Sequence, residues 1–190
     1  MLQKTWCIAN PSTTNHELIA NLDYACGHVN CSQIQQGSLC FYPDSHMHHA
    51  SFAMNLYYQA MGRHKSHCNF TNSGLVSSTD PSTSSCTYES GGALADNETR
   101  GTWCVPKPTT SDAMLQEIIN FACNHVDCSP IHDVSGPCFN PTTRINHASF
   151  AMNLYYQGTG RRESSCDFSQ TGLIVTDDPS YGDCKYEYHE

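Results

Sequence analysis

The groups in this sequence that could do chemistry are twelve cysteines, eleven histidines and eighteen carboxylates. Their spacing argues against most of that chemistry. The closest cysteines form Cys26-x4-Cys31 and Cys123-x4-Cys128, a poorer fit to a zinc site than paired CxxC elements. A dense, even cysteine count in short domains instead implies disulfides and an oxidising compartment. With every cysteine paired, none remains as a thiol nucleophile. His46, His48 and His49 crowd together as metal ligands would. The second half of the chain repeats the first, however, and offers Arg144, Asn146 and His147 at those places. Histidines with structural hydrogen bonds fit better, and no metal or cofactor is expected. Glycoside hydrolysis needs two carboxylates about 5–10 Å apart. Glu17 corresponds to Met114, Asp23 to Asn120 and Asp44 to Thr142. Only Asp80/Asp178 and Glu89/Glu187 keep an acid in both halves, the first pair in a turn before proline and the second at the edge of each half. A non-catalytic protein is expected, unless one copy alone is active.

The elements that position these residues are written twice. Cys7, Cys26 and Cys31 return as Cys104, Cys123 and Cys128, and Cys40, Cys68 and Cys86 as Cys138, Cys166 and Cys184. The eleven residues from His49 to Gln59 return unchanged from His147 to Gln157. Two repeats are too few for a solenoid. The repeat predicts self-contained domains at 4–89 and 101–188, joined over 90–100 by a Gly-, Asn- and acid-rich stretch that reads as a short flexible linker. A domain this small buries a modest core, so three disulfides at roughly 2–4 kcal/mol each would supply needed stability. Six cysteines allow 15 pairings, and spacing alone leaves them open.

Each copy reads as small, disulfide-rich α+β: two helices, a short antiparallel sheet and much coil. Thr14 and Glu17 form a capping box for the first helix. Ser111 opens its counterpart, along which Leu115, Ile118, Ile119 and Ala122 fall at i, i+3, i+4 and i+7. The second helix follows Pro43 or Pro141 and runs to about Gly62 or Gly160. Strands are expected at 172–176 and 184–188, separated by an Asp-Pro-Ser turn. At 100° per residue, Ala50, Phe52, Ala53, Met54, Leu56, Tyr57 and Ala60 share one broad arc of the second helix, with Tyr57 in the core. Ser51, Asn55, Tyr58 and Gln59 occupy the rest, as do Ser149, Asn153, Tyr156 and Gln157. A ring among amides could stack on a neutral sugar while the amides bond its hydroxyls. An ordinary solvated face accounts for the same pattern. Trp6 and Trp103, each beside a cysteine, are either core or a partly exposed stacking platform.

The net charge of −9 and only nine Lys and Arg exclude the clustered cations that nucleic acids require. An acidic surface also disfavours anionic lipids, and no apolar run is long enough to span a membrane. The first residues lack a signal peptide's apolar core, so the chain reads as a mature fragment or one whose leader was lost. The last residues lack a lipid-anchor tail. Asn69-Phe70-Thr71 and Asn97-Glu98-Thr99 are glycosylation sequons, with Asn97 in the linker the best candidate, as is Asn30-Cys31-Ser32, whose central cysteine hinders access.

Taken together, Trp6-Cys7, Ala25-Cys26, Cys31-Ser32-x-Ile34, Cys40 to Pro43, His49 to Gln59, Cys68-x-Phe70 and Asp80-Pro81-Ser82 with Cys86 resemble the X8 domain, the family 43 carbohydrate-binding module. The second set is Trp103-Cys104, Ala122-Cys123, Cys128-Ser129-x-Ile131, Cys138 to Pro141, His147 to Gln157, Cys166-x-Phe168 and Asp178 to Ser180 with Cys184. The resemblance implies binding of β-1,3-glucan such as callose, in a plant cell-wall or plasmodesmal setting; a secreted monomer is expected, in the wall, at plasmodesmata or on the outer face of the plasma membrane. Two alternatives stay open: an ancillary part of a glucan endo-1,3-β-glucosidase, and a wall protein that binds other proteins. The resemblance also implies the pairings Cys7–Cys68, Cys26–Cys31 and Cys40–Cys86, repeated as Cys104–Cys166, Cys123–Cys128 and Cys138–Cys184. Non-reducing peptide mapping should recover these six pairs and none between the copies; one bridge joining the copies would refute the scheme.

Overall fold

The computed structural model describes residues 3–91 and 101–190. The expected linker therefore lies outside the described residues from 92 onward, as does Asn97. The first copy runs β1 (Trp6–Ala9), α1 (Asn15–Cys26), α2 (His46–Ala60) and β2 (Gly74–Ser77). The second runs β3 (Trp103–Pro106), α3 (Asp112–Cys123), the one-turn α4 (Ser129–His132), α5 (Arg144–Gly158) and β4 (Gly172–Val175). The capping box at Thr14 and Glu17 is present, and Ser111 caps α3. The six disulfides have the pairings that the resemblance implied.

The expected strand at 172–176 is β4, but 184–188 is not its partner. β4 pairs with β3, and β2 with β1, so each hairpin joins the start of a copy to its later third. Residues 184–188 are held otherwise. Cys184 is bonded to Cys138, Tyr186 lies in the core, and the Glu187 carbonyl accepts from Asn153. β1 and β3 are four residues each with every position buried, so the period-2 signal of a half-exposed strand is missing from them.

The two hairpins form one antiparallel sheet in the order β1-β2-β4-β3. Its central seam is reciprocal. The Ser78 amide donates to the Ile174 carbonyl and the Thr176 amide to the Val76 carbonyl, both at 3.0 Å. The Val76 amide donates to Asp177 Oδ2 and the Ile174 amide to Thr79 Oγ1. Corresponding residues thus exchange roles across the seam, as in an isologous dimer. Ile8 and Leu75 of the first copy pack in one apolar cluster with Trp103, Val105, Leu173 and Val175 of the second. Lys65 makes an ion pair with Asp177 across the same boundary.

In each copy the long helix packs against both the first helix and the sheet. Ala50, Met54 and Tyr58 meet Cys7, Ala9 and Val76 on the sheet face, with Leu18 of α1 in the same cluster. Phe52, Ala53 and Tyr57 face Ala25, Ile34 and the Cys40–Cys86 region.

His48 is fully buried, with Nε2 2.8 Å from the Cys40 carbonyl and Nδ1 3.0 Å from the Tyr88 hydroxyl. Both ring nitrogens are engaged, as a neutral imidazole allows. Burial outweighs the Cys40 bond and lowers its pKa from the ordinary 6.5 to about 4, with nearby His49 acting in the same direction. The unfolded chain therefore takes up this proton first. Stability is full above pH 6.5 and falls as pH drops towards 4, by up to about 3 kcal/mol. Asn146 occupies the corresponding place in the second copy and donates to Tyr181 and Pro141. His48→Asn should therefore lose less stability than wild type between pH 7 and 4.5 in denaturant titrations; equal losses would refute the assignment.

Candidate functional site

The polar strip expected to meet sugar is buried. Ser51, Asn55, Tyr58, Ser149, Asn153, Tyr156 and Gln157 are each at most 2 % exposed, and Gln59 is half-buried. The expectation of an accessible strip is therefore corrected: this face of the helix meets the edge of the sheet. Asn55 Oδ1 accepts the outward-pointing Cys7 amide of β1 at 3.1 Å, and Asn55 Nδ2 donates to the Glu89 carbonyl. Gln59 Nε2 donates to the Thr5 carbonyl, and its Oε1 accepts the Gly91 amide. Ser51 Oγ accepts the Ala9 amide, and the Tyr58 hydroxyl bonds Thr5. In the second copy Asn153 bonds Cys104 and Glu187, Gln157 bonds Thr102 and His189, Tyr156 bonds Thr102, and Ser149 accepts from Tyr186. Helix side chains thus satisfy the unpaired edge of each outer strand. Trp6 and Trp103 are core at 5 % and 4 % exposed, not platforms; neither indole N–H has a partner among the described residues.

A three-ring aromatic shelf, with its outermost ring exposed, lies where the first and second long helices of each copy meet. In the first, Tyr24 on α1 stands 5.5 Å from Tyr57 on α2, and both lie edge-on to Phe70 at 6.3 and 5.7 Å. In the second, Phe121 stands 5.2 Å from Tyr155, with Phe168 at 6.2 and 5.7 Å. His28 and His125 flank Tyr24 and Phe121 one helical turn on, at 4.6 and 4.8 Å. Tyr24 is 52 % exposed and Phe121 46 %. The Tyr24 and Tyr57 hydroxyls lie 3.4 Å apart, and that contact holds the Tyr57 hydroxyl above its ordinary pKa and so neutral.

Backbone strain holds Phe70 and Phe168 in place. Phe70, Thr71 and Asn72 all have positive φ, of 42°, 56° and 63°, and Phe168, Ser169 and Gln170 repeat this at 42°, 57° and 65°. Three such non-glycine residues in a row are costly, at roughly 1–3 kcal/mol each. The flanks over-determine them. Cys68 or Cys166 is anchored by its disulfide just before the turn. Just after it, a Cβ on Gly74 or Gly172 would overlap the carbonyl oxygen of that cysteine, so only glycine lets the chain close.

The two shelves differ at their rims. The first is a pocket of about 420 Å³ with Asn21, His67, Asn69 and Thr71 beside the rings. The second holds about 270 Å³ and is lined by Met114, Glu117 and Ile118 with Phe121 and Phe168. Sequence reasoning missed both shelves, although it placed Tyr57 in the core, where the structure has it, 9 % exposed. A signal was present: an aromatic four residues before histidine on the first helix, and a phenylalanine two after a cysteine, recur in both copies. The rings suit stacking on the C–H face of a neutral ligand, with polar rims to bond hydroxyls. Among the described residues, no group of three or more His, Cys, Asp or Glu is placed to hold a metal. None of their helices is long and apolar enough to cross a membrane.

Both copies match a known domain family. The X8 domain model matches twice, at residues 5–75 and 102–173. A major pollen allergen of Olea europaea is 50 % identical over 86 residues, which are 44 % of this chain and 69 % of that protein. A glucan endo-1,3-beta-glucosidase of Triticum aestivum is 49 % identical over 86 residues, 45 % of this chain and 18 % of the enzyme. A plasmodesmata callose-binding protein of Arabidopsis thaliana is 39 % identical over 94 residues, 49 % of this chain and 48 % of that protein. The chain thus spans about a fifth of the length of the glucosidases it matches.

Strip and shelf should separate in mutants. Asn55→Ala leaves the Cys7 amide and Glu89 carbonyl unpaired and should cost about 2–4 kcal/mol. Tyr24→Ala, at a half-exposed ring, should cost about 1 kcal/mol or less. Thermal unfolding of the oxidised protein measures both, and equal losses would contradict this division.

Proposed function

This chain belongs to the X8 domain family, and from that premise we propose that it is a non-catalytic, secreted, monomeric wall protein that binds β-1,3-glucan of the callose type on its two aromatic shelves. The observation that carries the reading is the recurrence of the same three-ring shelf, with the same strained turn, in both copies. Relatives named for callose binding and for endo-1,3-glucan hydrolysis share the matched region, and β-1,3-glucan is the ligand common to both names. A glucan is neutral, which suits a chain of net charge −9. Disulfides throughout suit an extracellular setting at the wall or plasmodesmata. We place the binding modules at 4–89 and 101–188. Pairing of β2 with β4, and side-chain bonds along β1 and β3, occupy the strand edges through which another copy could add, which supports the monomer. A second reading, an ancillary module of a longer glucanase, draws on the relatives that match over about a fifth of their length.

Single-shelf binding is expected to be weak, because sugar hydroxyls exchange water bonds for protein bonds at little net gain. Stacking adds about 1 kcal/mol per ring, roughly fivefold, by analogy with aromatic pairs. Two shelves on one chain gain further by effective concentration on a polymer with many sites. Because the copies share a sheet, the test uses the full chain. In pull-downs with insoluble β-1,3-glucan, Tyr24→Ala or Phe121→Ala should each weaken binding about fivefold or more, and the double variant should abolish it. Binding to a β-1,4-glucan should be absent. A folded double variant that binds normally would move the site elsewhere, and a wild type that ignores β-1,3-glucan would favour a protein ligand.

A further inference from the structure

Asn69 stands at the rim of the first shelf. It opens the sequon Asn69-Phe70-Thr71, and all three residues line the pocket with Tyr24 and Tyr57. Asn69 and Thr71 are both exposed. The second copy builds the same turn from Asp167-Phe168-Ser169, which offers no amide to modify. The turn needs an acceptor at its first position. Asn69 Oδ1 accepts the Asn72 amide at 3.0 Å, and Asp167 Oδ2 accepts the Gln170 amide at 3.2 Å. Asn69 Nδ2 meanwhile donates to Asn72 Oδ1 at 3.1 Å. A sugar on Nδ2 replaces one of its two hydrogens and leaves Oδ1 untouched, so the bond that shapes the turn survives. Asn30 is less suited, since Cys31 within its sequon is locked to Cys26.

We propose that Asn69 carries an N-linked glycan in the secreted protein, and that this glycan covers the first shelf while the second stays open. A secretory oligosaccharyl pyrophosphate supplies the sugar. The Nδ2–C1 bond forms, the C1–oxygen bond to pyrophosphate breaks, and one amide proton is lost. Disulfides form in the same compartment. Asn69 also borders a cleft of about 610 Å³ between the copies, lined by Lys65 and Asp177, whose two rings are Trp103, 4 % exposed, and Tyr181, half-buried with its hydroxyl bonded to Asn146 and the Asn140 carbonyl. The exposed Tyr24 ring and half-buried Phe70 offer a sugar the better stacking surface, so the glycan lies over the shelf. Its consequence for glucan binding rests on the function proposed above: the glycosylated chain engages the polymer mainly through Phe121, Tyr155 and Phe168.

The test uses the full chain secreted from a glycosylating host, before and after enzymatic removal of N-glycans. Mass mapping reads occupancy, and hydroxyl-radical footprinting reads the exposure of each ring. Asn69 should be occupied. With the glycan present, oxidation of Tyr24 and Phe70 should fall several-fold while that of Phe121 and Phe168 stays unchanged. Thr71→Ala should abolish both occupancy and protection, and Thr71→Ser should keep both. On insoluble β-1,3-glucan, removing the glycan should strengthen binding about fivefold. A bare Asn69 would overturn the proposal, as would equal oxidation with and without the glycan, or protection confined to Trp103 and Tyr181. Failure of the glycan-free protein to bind β-1,3-glucan would overturn the glucan reading instead, and occupancy and footprint would still decide the modification.

Discussion

In each copy one buried asparagine, Asn55 or Asn153, sits where three parts of the chain meet: the outer strand, the central helix and the segment after the last cysteine. Its carbonyl takes the strand's outward amide, and its amide donates to the later carbonyl. Gln59 or Gln157, one turn on, makes the parallel pair of bonds. An unpaired backbone group at such depth would cost about 1–3 kcal/mol. The network therefore dictates which segments can lie together, and it accounts for an eleven-residue stretch that recurs without change. Nearly every position in that stretch is in contact, on the sheet side through polar side chains and Met54, on the other through Phe52, Ala53 and Tyr57.

With the outer edges of β1 and β3 satisfied by helix side chains, the inner edges remain, and they satisfy each other. β2 and β4 meet at Ser77 and Val175 in a reciprocal seam, where Asp177 and Thr79 complete the pairing that the short strands leave unmade. Duplication supplies two like edges, and antiparallel pairing about a local two-fold axis is the arrangement in which like edges complement one another. The seam then gains an apolar cluster, since Ile8 and Leu75 complete the packing around Trp103 and Val175.

The shelves lie where α1 meets α2, and α3 meets α5, beside the strained turn. Rigid elements hold two of the three rings, and a disulfide with a close-packed glycine holds the third. Such rigidity lowers the conformational entropy that a ligand settling on the rings would cost. The rims are free to diverge, and they have: amides and a histidine in one copy, aliphatic side chains and a glutamate in the other.

Much of this was legible in the sequence. The duplication, the capping box at Thr14, the amphipathic α3 and the α+β class follow from local pattern, because capping and helical periodicity are set by residues within a turn or two of one another. The disulfide pairing was legible only through family resemblance, since six cysteines alone leave it open. The strip of Ser51, Asn55, Tyr58 and Gln59 shows where local reading stops. An angular plot distinguishes polar from apolar residues, but a polar side chain facing a sheet edge and one facing water have the same periodicity. Only the tertiary structure brings the outward amides of Cys7 and Ala9 against that strip and makes it core. The same holds for the strand pairing of 103–106 with 172–175, the shared sheet, and the meeting of Tyr24, Tyr57 and Phe70, which are distant in sequence. Residue types and short spacings determine the elements; which polar groups are left unsatisfied, and so where each element must dock, is decided only when the whole chain is packed.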